Sequence, residues 1–202
     1  MSFGFLVETF ATERLKTLGV WSQFRDADLE FRPAPRARSV REQMVHQCLS
    51  EDGWFTTMLG LPVDIPALPA EERRIAFLER YADASGRRLT LLEGQSKAWF
   101  EGPTLFFTVE RSRAWVLVRR IAHSSHHRGQ LTTYHRLLGH ALYSTYGPTA
   151  DTGGLPASGA EVIYRYPSVD ALLAGERAGG EFPPLRGPGP APPSERPARP
   201  TA

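Results

Sequence analysis

Three of the six histidines in this chain lie within five residues of one another, in the run Ala122-His-Ser-Ser-His-His-Arg-Gly-Gln130. An α-helix turns by about 100° per residue, so His123 and His127 would lie about 40° apart on one face and one turn apart along it. His126 would lie about 60° to the other side of His123. Two imidazoles in this arrangement can bind one ion, and imidazole is a ligand for zinc, nickel, copper and iron. The run therefore predicts part of a metal site.

A metal site needs more than this pair of histidines. A catalytic site of the zinc type usually has three protein ligands and keeps one position open for water or substrate. Cys48 is the only cysteine, which excludes a cysteine-cluster site. The third ligand is therefore a carboxylate or one of the histidines His46, His135 and His140. We favour His46, because it is the only histidine outside residues 123–140 and lies two turns into a predicted helix.

The direction of the His46 side chain stays open at the level of sequence. On a helical projection His46 shares its side with polar residues such as Glu42 and Ser50, while the apolar residues of this helix lie nearly opposite. Periodicity alone therefore does not turn His46 toward the core. The alternative to a metal site is a pair of hydrogen-bonded histidines on a polar seam between helices.

Hydrophobic periodicity predicts four long helices that would position these histidines. Ser39 and Glu42 can form a capping box, in which each side chain satisfies a backbone donor of the other, so the second helix begins at Ser39. Gly139 is well placed to end the fourth helix. Four helices of this length predict an all-α protein built as a four-helix bundle. The predicted helices span about 3–21, 39–60, 71–92 and 112–139, and a connection with a short extended piece covers 96–111.

The composition changes beyond Tyr143, and we predict an irregular C-terminal extension over residues 151–202. Ser168 can cap a short helix that runs through Leu173 and ends at Gly175. From about residue 177 the extension is rich in proline, which predicts an extended and disordered tail.

Composition limits the classes of protein that this chain can represent. It has 202 residues, of which 41% are apolar, enough to bury a sizeable core. The net charge of +2 supplies no broad field for capturing nucleic acid or an anionic membrane. The chain has no run of 18 consecutive apolar residues, and its first residues lack the pattern of a secretion signal. We therefore expect a cytoplasmic protein that binds neither membrane nor nucleic acid.

The chain contains, in this order, Ser39-Val-Arg-Glu-Gln-Met-Val-His46, His123-Ser-Ser-His-His127-Arg-Gly-Gln130 and Tyr146-Gly-Pro-Thr-Ala. Together these segments resemble the DinB/YfiT-like family of metal-binding four-helix bundles. The resemblance implies an up-and-down bundle over residues 1–150, frequent homodimers and a divalent ion held by three histidines. Matched position by position, the ligands would be His46, His123 and His127. The resemblance implies zinc or nickel first, with iron or manganese as further candidates.

Four residues near the predicted ligands could act on the ion or on a substrate. Glu42 and Gln130 lie one turn from a ligand and could orient an imidazole N–H group, or could be solvated polar residues. His126 could touch substrate or bond to a neighbouring helix. Tyr134, two turns after His127, could donate a hydrogen bond to a group on the ion or pack on the helix seam.

Three further expectations concern the same helices. We expect Arg119 and Arg120 to form a solvated surface pair, with contact to an anionic ligand as the alternative. Gly129, in the middle of the fourth helix, either lets a neighbouring helix approach closely or is a tolerated glycine. The four tryptophans, among them Trp54 and Trp115, are expected to serve in packing.

The favoured function is that of a metal-dependent enzyme, in which the bound ion lowers the pKa of a thiol or a water molecule. Members of the similar family include transferases that use low-molecular-weight thiols, so we rank thiol S-transfer on a small molecule above hydrolysis. A stress-related protein that binds metal without turnover is the second class. A nucleic-acid-binding or partner-binding module is the third, and the balanced charge disfavours it.

Overall fold

The computed structural model describes residues 3–189 of the chain, and its main feature is a four-helix bundle. The all-α up-and-down bundle expected from the sequence is confirmed. The helices of the described part are α1 Gly4–Trp21, α2 Val40–Gly53, α3 Arg74–Glu93, α4 Lys97–Glu101, α5 Arg113–Leu137 and α6 Val169–Arg177. Helix α2 continues without a break into a π-helical segment, Trp54–Leu59. Helices α1, α2, α3 and α5 are the long helices of the bundle.

The ends of the long helices have local causes in the sequence. Ser39 Oγ accepts a hydrogen bond from Glu42 N at 3.2 Å, and the Glu42 carboxylate accepts one from Ser39 N at 2.8 Å. This capping box satisfies two of the backbone donors that a helix start leaves free. Ser112 caps α5 by accepting from Trp115 N. Beyond the other end of α5, Gly139 has a φ of +72°, a left-handed conformation that glycine adopts readily.

The bundle core joins residues from all four long helices. Helix α1 packs against α3 and α5, and α2 packs against α5. Two clusters of buried apolar side chains result, one towards each end of the bundle. The first includes Trp21, Phe24, Met44, Phe77 and Leu131, and the second includes Phe10, Phe55, Leu92, Val116 and Leu117.

A buried carboxylate, Glu51, lies between three of the helices. It accepts a hydrogen bond from Arg88 Nη1 of α3 at 3.2 Å and another from Tyr81 Oη, also of α3, at 2.9 Å. Arg120 of α5 pairs with the same carboxylate at 3.8 Å. Removing one member of a buried ion pair usually costs about 3–5 kcal/mol, because the remaining charge is left uncompensated. The network therefore fixes α2, α3 and α5 relative to one another.

The connection between α3 and α5 contains α4 and a two-stranded hairpin. Strand β1, Pro103–Phe106, pairs antiparallel with β2, Val109–Ser112. The register places Phe106 opposite Val109, so residues 107 and 108 form the turn. Thr104 Oγ1 donates to the carbonyl of Met58, which attaches the hairpin to the end of the π-helical segment. The short extended piece expected from the sequence is thus a hairpin anchored on the bundle.

The C-terminal extension packs on the bundle through α6. Ser168 caps this helix, as expected, and Leu172 is fully buried in the first core cluster. The helix continues past Gly175 to Arg177, so the predicted end at Gly175 is wrong. A Cβ atom at Gly175 would lie 2.6 Å from the ring of Tyr166. Glycine is needed here for a close approach rather than for ending the helix.

Residues 178–189 contact the segment that connects α5 to α6. Arg186 pairs with Glu161 at 2.8 Å, and Gly187 N donates to the carbonyl of Asp151 at 2.8 Å. The rest of the predicted proline-rich tail, residues 190–202, lies outside the described residues. None of the helices between residues 3 and 189 combines the length and the apolar character that crossing a membrane requires.

Gly129 lies in the middle of α5 and can be replaced by alanine to test its role there. It lies on the exposed side of α5, and a Cβ atom placed on it would meet no neighbouring atom within 4 Å. The expected alternative of a closely approaching helix is therefore wrong. Gly129→Ala should raise the free energy of unfolding by about 1 kcal/mol, because alanine loses less backbone entropy in a helix. Urea denaturation measures the change, and Gly139→Ala is the control, expected to be destabilising because of its positive φ.

The burial of His135 makes the free energy of unfolding depend on pH. Its ring stacks on Phe24 at 3.7 Å, Nε2–H donates to the carbonyl of Val20, and burial lowers the pKa to about 4. Below about pH 6.5 His135 is protonated in the unfolded chain but stays neutral in the folded protein. The free energy of unfolding therefore falls as the pH falls towards 4. Between pH 6.5 and 5 the loss should be about 1.5 kcal/mol.

The test is urea denaturation of the metal-free protein over this pH range. His135→Phe keeps the stack on Phe24 and should remove this part of the slope, whereas the less buried His140→Gln should leave it in place. Equal slopes for wild type and His135→Phe would contradict the prediction.

Candidate metal centre

Three histidines from two helices converge on one point at the edge of the bundle. His46 comes from α2, and His123 and His127 come from α5. One ring nitrogen of each lies within 4.8 Å of the other two, and His123 Nε2 and His127 Nε2 are 3.2 Å apart. His127 is buried, while His46 and His123 are half-buried. The structure thus brings together the three residues that the sequence analysis put forward as ligands.

Gln130 determines which nitrogen of His127 faces the cluster. Its side-chain oxygen lies 2.9 Å from His127 Nδ1 and also accepts from Gln43 Nε2 at 2.9 Å. A carbonyl oxygen can only accept, so the proton of His127 resides on Nδ1. The lone pair of Nε2 therefore points at the other imidazoles, as a metal ligand requires. On its other side, Gln130 Nε2 donates to the exposed His126 at 3.2 Å.

His123 is held from two sides. The ring of Trp54 stacks on it, with centroids 5.5 Å apart and an interplanar angle of 30°. Arg120 Nη1 lies 3.2 Å from His123 Nδ1, and since a guanidinium only donates, His123 Nδ1 accepts. The proton of neutral His123 then resides on Nε2 and bridges to His127 Nε2. For His123 Nε2 to hold an ion as a neutral imidazole, this proton would have to move to Nδ1, where Arg120 Nη1 now donates.

All three imidazoles are kept in the neutral form that binds metals. Burial, together with the cation of Arg120, lowers the pKa of His123 to about 3. Burial lowers the pKa of His127 to about 4 despite the bond to Gln130, and it also lowers the pKa of His46. At neutral pH no proton has to be removed from a charged imidazole before an ion can bind.

Arg120 lies beside the three histidines, contrary to the expectation from the sequence. Arg119 is exposed, but Arg120 is fully buried and donates to Ser50 at 2.9 Å and to Ser124 at 3.0 Å. The expected solvated pair is therefore wrong for Arg120. One sequence signal was available, because residues seven apart lie on the same helical face and Arg120 is seven before His127. Its buried partner Glu51 explains how a cation is accommodated there.

Two of the other candidate residues act away from the imidazoles. The Glu42 carboxylate is engaged in the capping box with Ser39 and in an ion pair with Arg32 at 2.7 Å. Tyr134 Oη donates to the backbone carbonyl of Arg38 at 3.0 Å and so ties α5 to the segment before α2. Both therefore position the helices that carry the histidines. Gln43 and Trp54, which the sequence analysis did not consider for the site, contact Gln130 and His123 instead.

Cys48 takes no part in the cluster. Its side chain is buried in the first core cluster, as its position two residues past His46 implies. Burial and the neighbouring Glu51 carboxylate raise the pKa of the thiol to about 12. A neutral, buried thiol of this kind is inert packing.

Comparison with known proteins gives a consistent result for sequence and structure. The model of the DinB family matches residues 1–154. The structure is similar to the crystal structure of a DinB-like protein from Bacillus cereus, with a TM-score of 0.64 and 18% identity over 71% of this chain and 97% of that one. A DinB-like protein from Bacillus subtilis matches with a TM-score of 0.55 and 15% identity, over 68% of this chain and 94% of that one. No curated protein matches the sequence.

The contact between Gln130 and His127 can be tested through metal affinity. Gln130→Ala removes the acceptor that fixes the His127 ring, and loss of such a partner typically weakens metal binding by about 10- to 100-fold. Competition with a chromophoric chelator for Zn²⁺ measures the affinity. Gln95→Ala is the matched control, since Gln95 bonds only to the backbone of α3. An unchanged affinity in Gln130→Ala would show that the ring is oriented by other contacts.

Proposed function

The chain belongs to the DinB family, and from this premise we propose that His46, His123 and His127 hold one divalent metal ion. The observation that carries the proposal is the convergence of three neutral imidazoles on one point from two helices. Gln130 directs His127, Trp54 covers the ring of His123, and the buried Glu51 network holds the helices in place. The site is thus prepared for an ion by contacts made within the chain.

Zinc or nickel suits this donor set best. Three imidazoles offer borderline nitrogen ligands, for which affinity rises along the first-row series from manganese and iron towards nickel and copper. Iron and manganese remain weaker candidates, because they lie lower in this affinity series. The carboxylates of Glu42 and Glu51 near the site are already engaged by Arg32 and Arg88.

We favour thiol S-transfer as the reaction. A divalent ion with three protein ligands supplies an open position at which a bound thiol or water ionises near neutral pH. Hydrolysis also needs a general base placed to accept protons during the reaction. Around the three histidines, among residues 3–189, Glu42 is bound by Ser39 and Arg32, and Glu51 lies buried against Arg88. A small thiol needs no such base, because coordination by itself deprotonates it.

The engaged carboxylates also suit a stress-related protein that binds the ion without turnover. The two functions differ in what happens to a thiol at the site. A transferase accelerates the reaction of a low-molecular-weight thiol with an electrophile such as 1-chloro-2,4-dinitrobenzene, and only in its metal-loaded form. A protein that only stores or senses the ion leaves the rate equal to that of the thiol alone. Hydrolysis remains the alternative reaction and is tested with ester substrates in the absence of thiol.

Metal content tests the proposed site directly. Untagged wild-type protein reconstituted with Zn²⁺ or Ni²⁺ should hold about one ion per chain by elemental analysis. His46→Ala, His123→Ala and His127→Ala should each remove most of it, because two imidazoles cannot close the site. His140→Ala, which changes a histidine outside the cluster, should retain the ion. Wild-type protein that stays free of metal, or equal loss in the control, would overturn the proposal.

A further inference from the structure

Three aromatic side chains continue the metal centre on the side of His123. Trp54 stacks on His123, as described above, and two phenylalanines of the hairpin stand edge-on to Trp54. The ring of Phe106 lies 5.2 Å from that of Trp54 at 73°, and the ring of Phe107 lies 6.4 Å from it at 86°. We call Trp54, Phe106 and Phe107 the aromatic wall.

Phe107 is costly to the folded protein in two ways. It is 68% exposed, so a large apolar ring faces water. It also has a φ of +55°, and it is the only non-glycine residue between residues 3 and 189 with a positive φ. Turn positions of this kind favour glycine or asparagine, because the Cβ atom crowds the backbone there. Turn chemistry does not account for a phenylalanine at this position, and its contacts with Phe106, at 4.8 Å between ring centroids, and with Trp54 leave most of the ring exposed.

The wall is held in a fixed place relative to the histidines. Phe106 contacts Trp115 of α5 at 5.0 Å, and Thr104 in the same strand bonds to the carbonyl of Met58. The guanidinium of Arg120 lies 5.8 Å from the ring of Trp54, so Trp54 is set between a cation and the hairpin. A rigid apolar surface beside a polar, ion-binding point is the usual composition of a small-molecule site.

We propose that the aromatic wall binds an apolar, aromatic substituent of the small molecule whose thiol occupies the metal centre. The inference rests on the proposed metal site and names the class of its substrate. Contact with the substituent would explain why Phe107 is exposed and has a positive φ, because its ring would pack against the substituent and shield it from water. A thiol without such a group would reach the ion but leave the wall uncovered.

The probes are two thiols that differ in this substituent, benzyl mercaptan and 2-mercaptoethanol. Protein loaded with Co²⁺ is titrated with each, and the visible spectrum of the ion reports binding. One well-placed aromatic contact is worth about tenfold in affinity, so wild-type protein should bind benzyl mercaptan about tenfold more tightly. The Co²⁺ content of every sample is measured beside the titration.

Phe107→Asn removes the ring and places there a residue that tolerates a positive φ. It should lose most of the preference through weaker binding of benzyl mercaptan, with its Co²⁺ content and its affinity for 2-mercaptoethanol unchanged. Phe107→Gly should behave in the same way. The matched control is Leu105→Ala, which removes a side chain that is 60% exposed from the strand face opposite Phe106, and it should keep the preference.

The outcomes separate the two proposals. If wild-type protein takes up no Co²⁺, the proposed metal site is wrong and the inference falls with it. If the protein holds Co²⁺ but shows no preference, or if Phe107→Asn keeps it, only the aromatic wall is overturned. A dimer in solution that Phe107→Asn converts to monomer, with thiol binding unchanged, would make the wall an interface between copies of the chain and overturn the inference.

Discussion

The buried carboxylate of Glu51 is the constraint on which the rest of this structure depends. It has lost its hydration and is balanced by Arg88 from α3 and by Arg120 from α5, while Tyr81 donates to it. A charge buried in this way tolerates little displacement of its partners, because each partner would leave another charge unpaired. Helices α2, α3 and α5 are therefore locked together at this level of the bundle. Packing of apolar side chains alone would allow more sliding between them.

The same constraint reaches the three histidines through Arg120. One side of its guanidinium faces Glu51, and the other lies against His123 Nδ1. The cation thus compensates the core carboxylate and, at the same time, opposes protonation of His123. Charge balance inside the bundle and the neutral state of His123 therefore both involve Arg120. Trp54, which covers His123, extends this arrangement to the hairpin and its exposed aromatic rings.

Much of the fold could be predicted because its signals are local. The Ser39–Glu42 capping box, the Ser112 cap and Gly139 each act within one turn of their own helix, and the structure has helix ends at all three. The end of α6 was predicted wrongly because Gly175 is needed for the close approach of Tyr166, a residue outside that helix. Arg120 was misplaced for a similar reason. Burial of a cation depends on a distant carboxylate, which no short window of sequence reveals.

Some features of the candidate site also follow from local sequence, while others depend on how the helices pack. The spacing of His123 and His127 suffices to put both imidazoles on one face, because the geometry of a helix is the same in every protein. The direction of His46 could not be settled by its own helix, whose buried residues Met44 and Cys48 lie on the other side. His46 faces the pair only because α2 packs beside α5 at an angle and height that the buried charges fix. Local sequence thus decided which residues could bind an ion, and the packing of helices far apart in the chain decided that three of them meet.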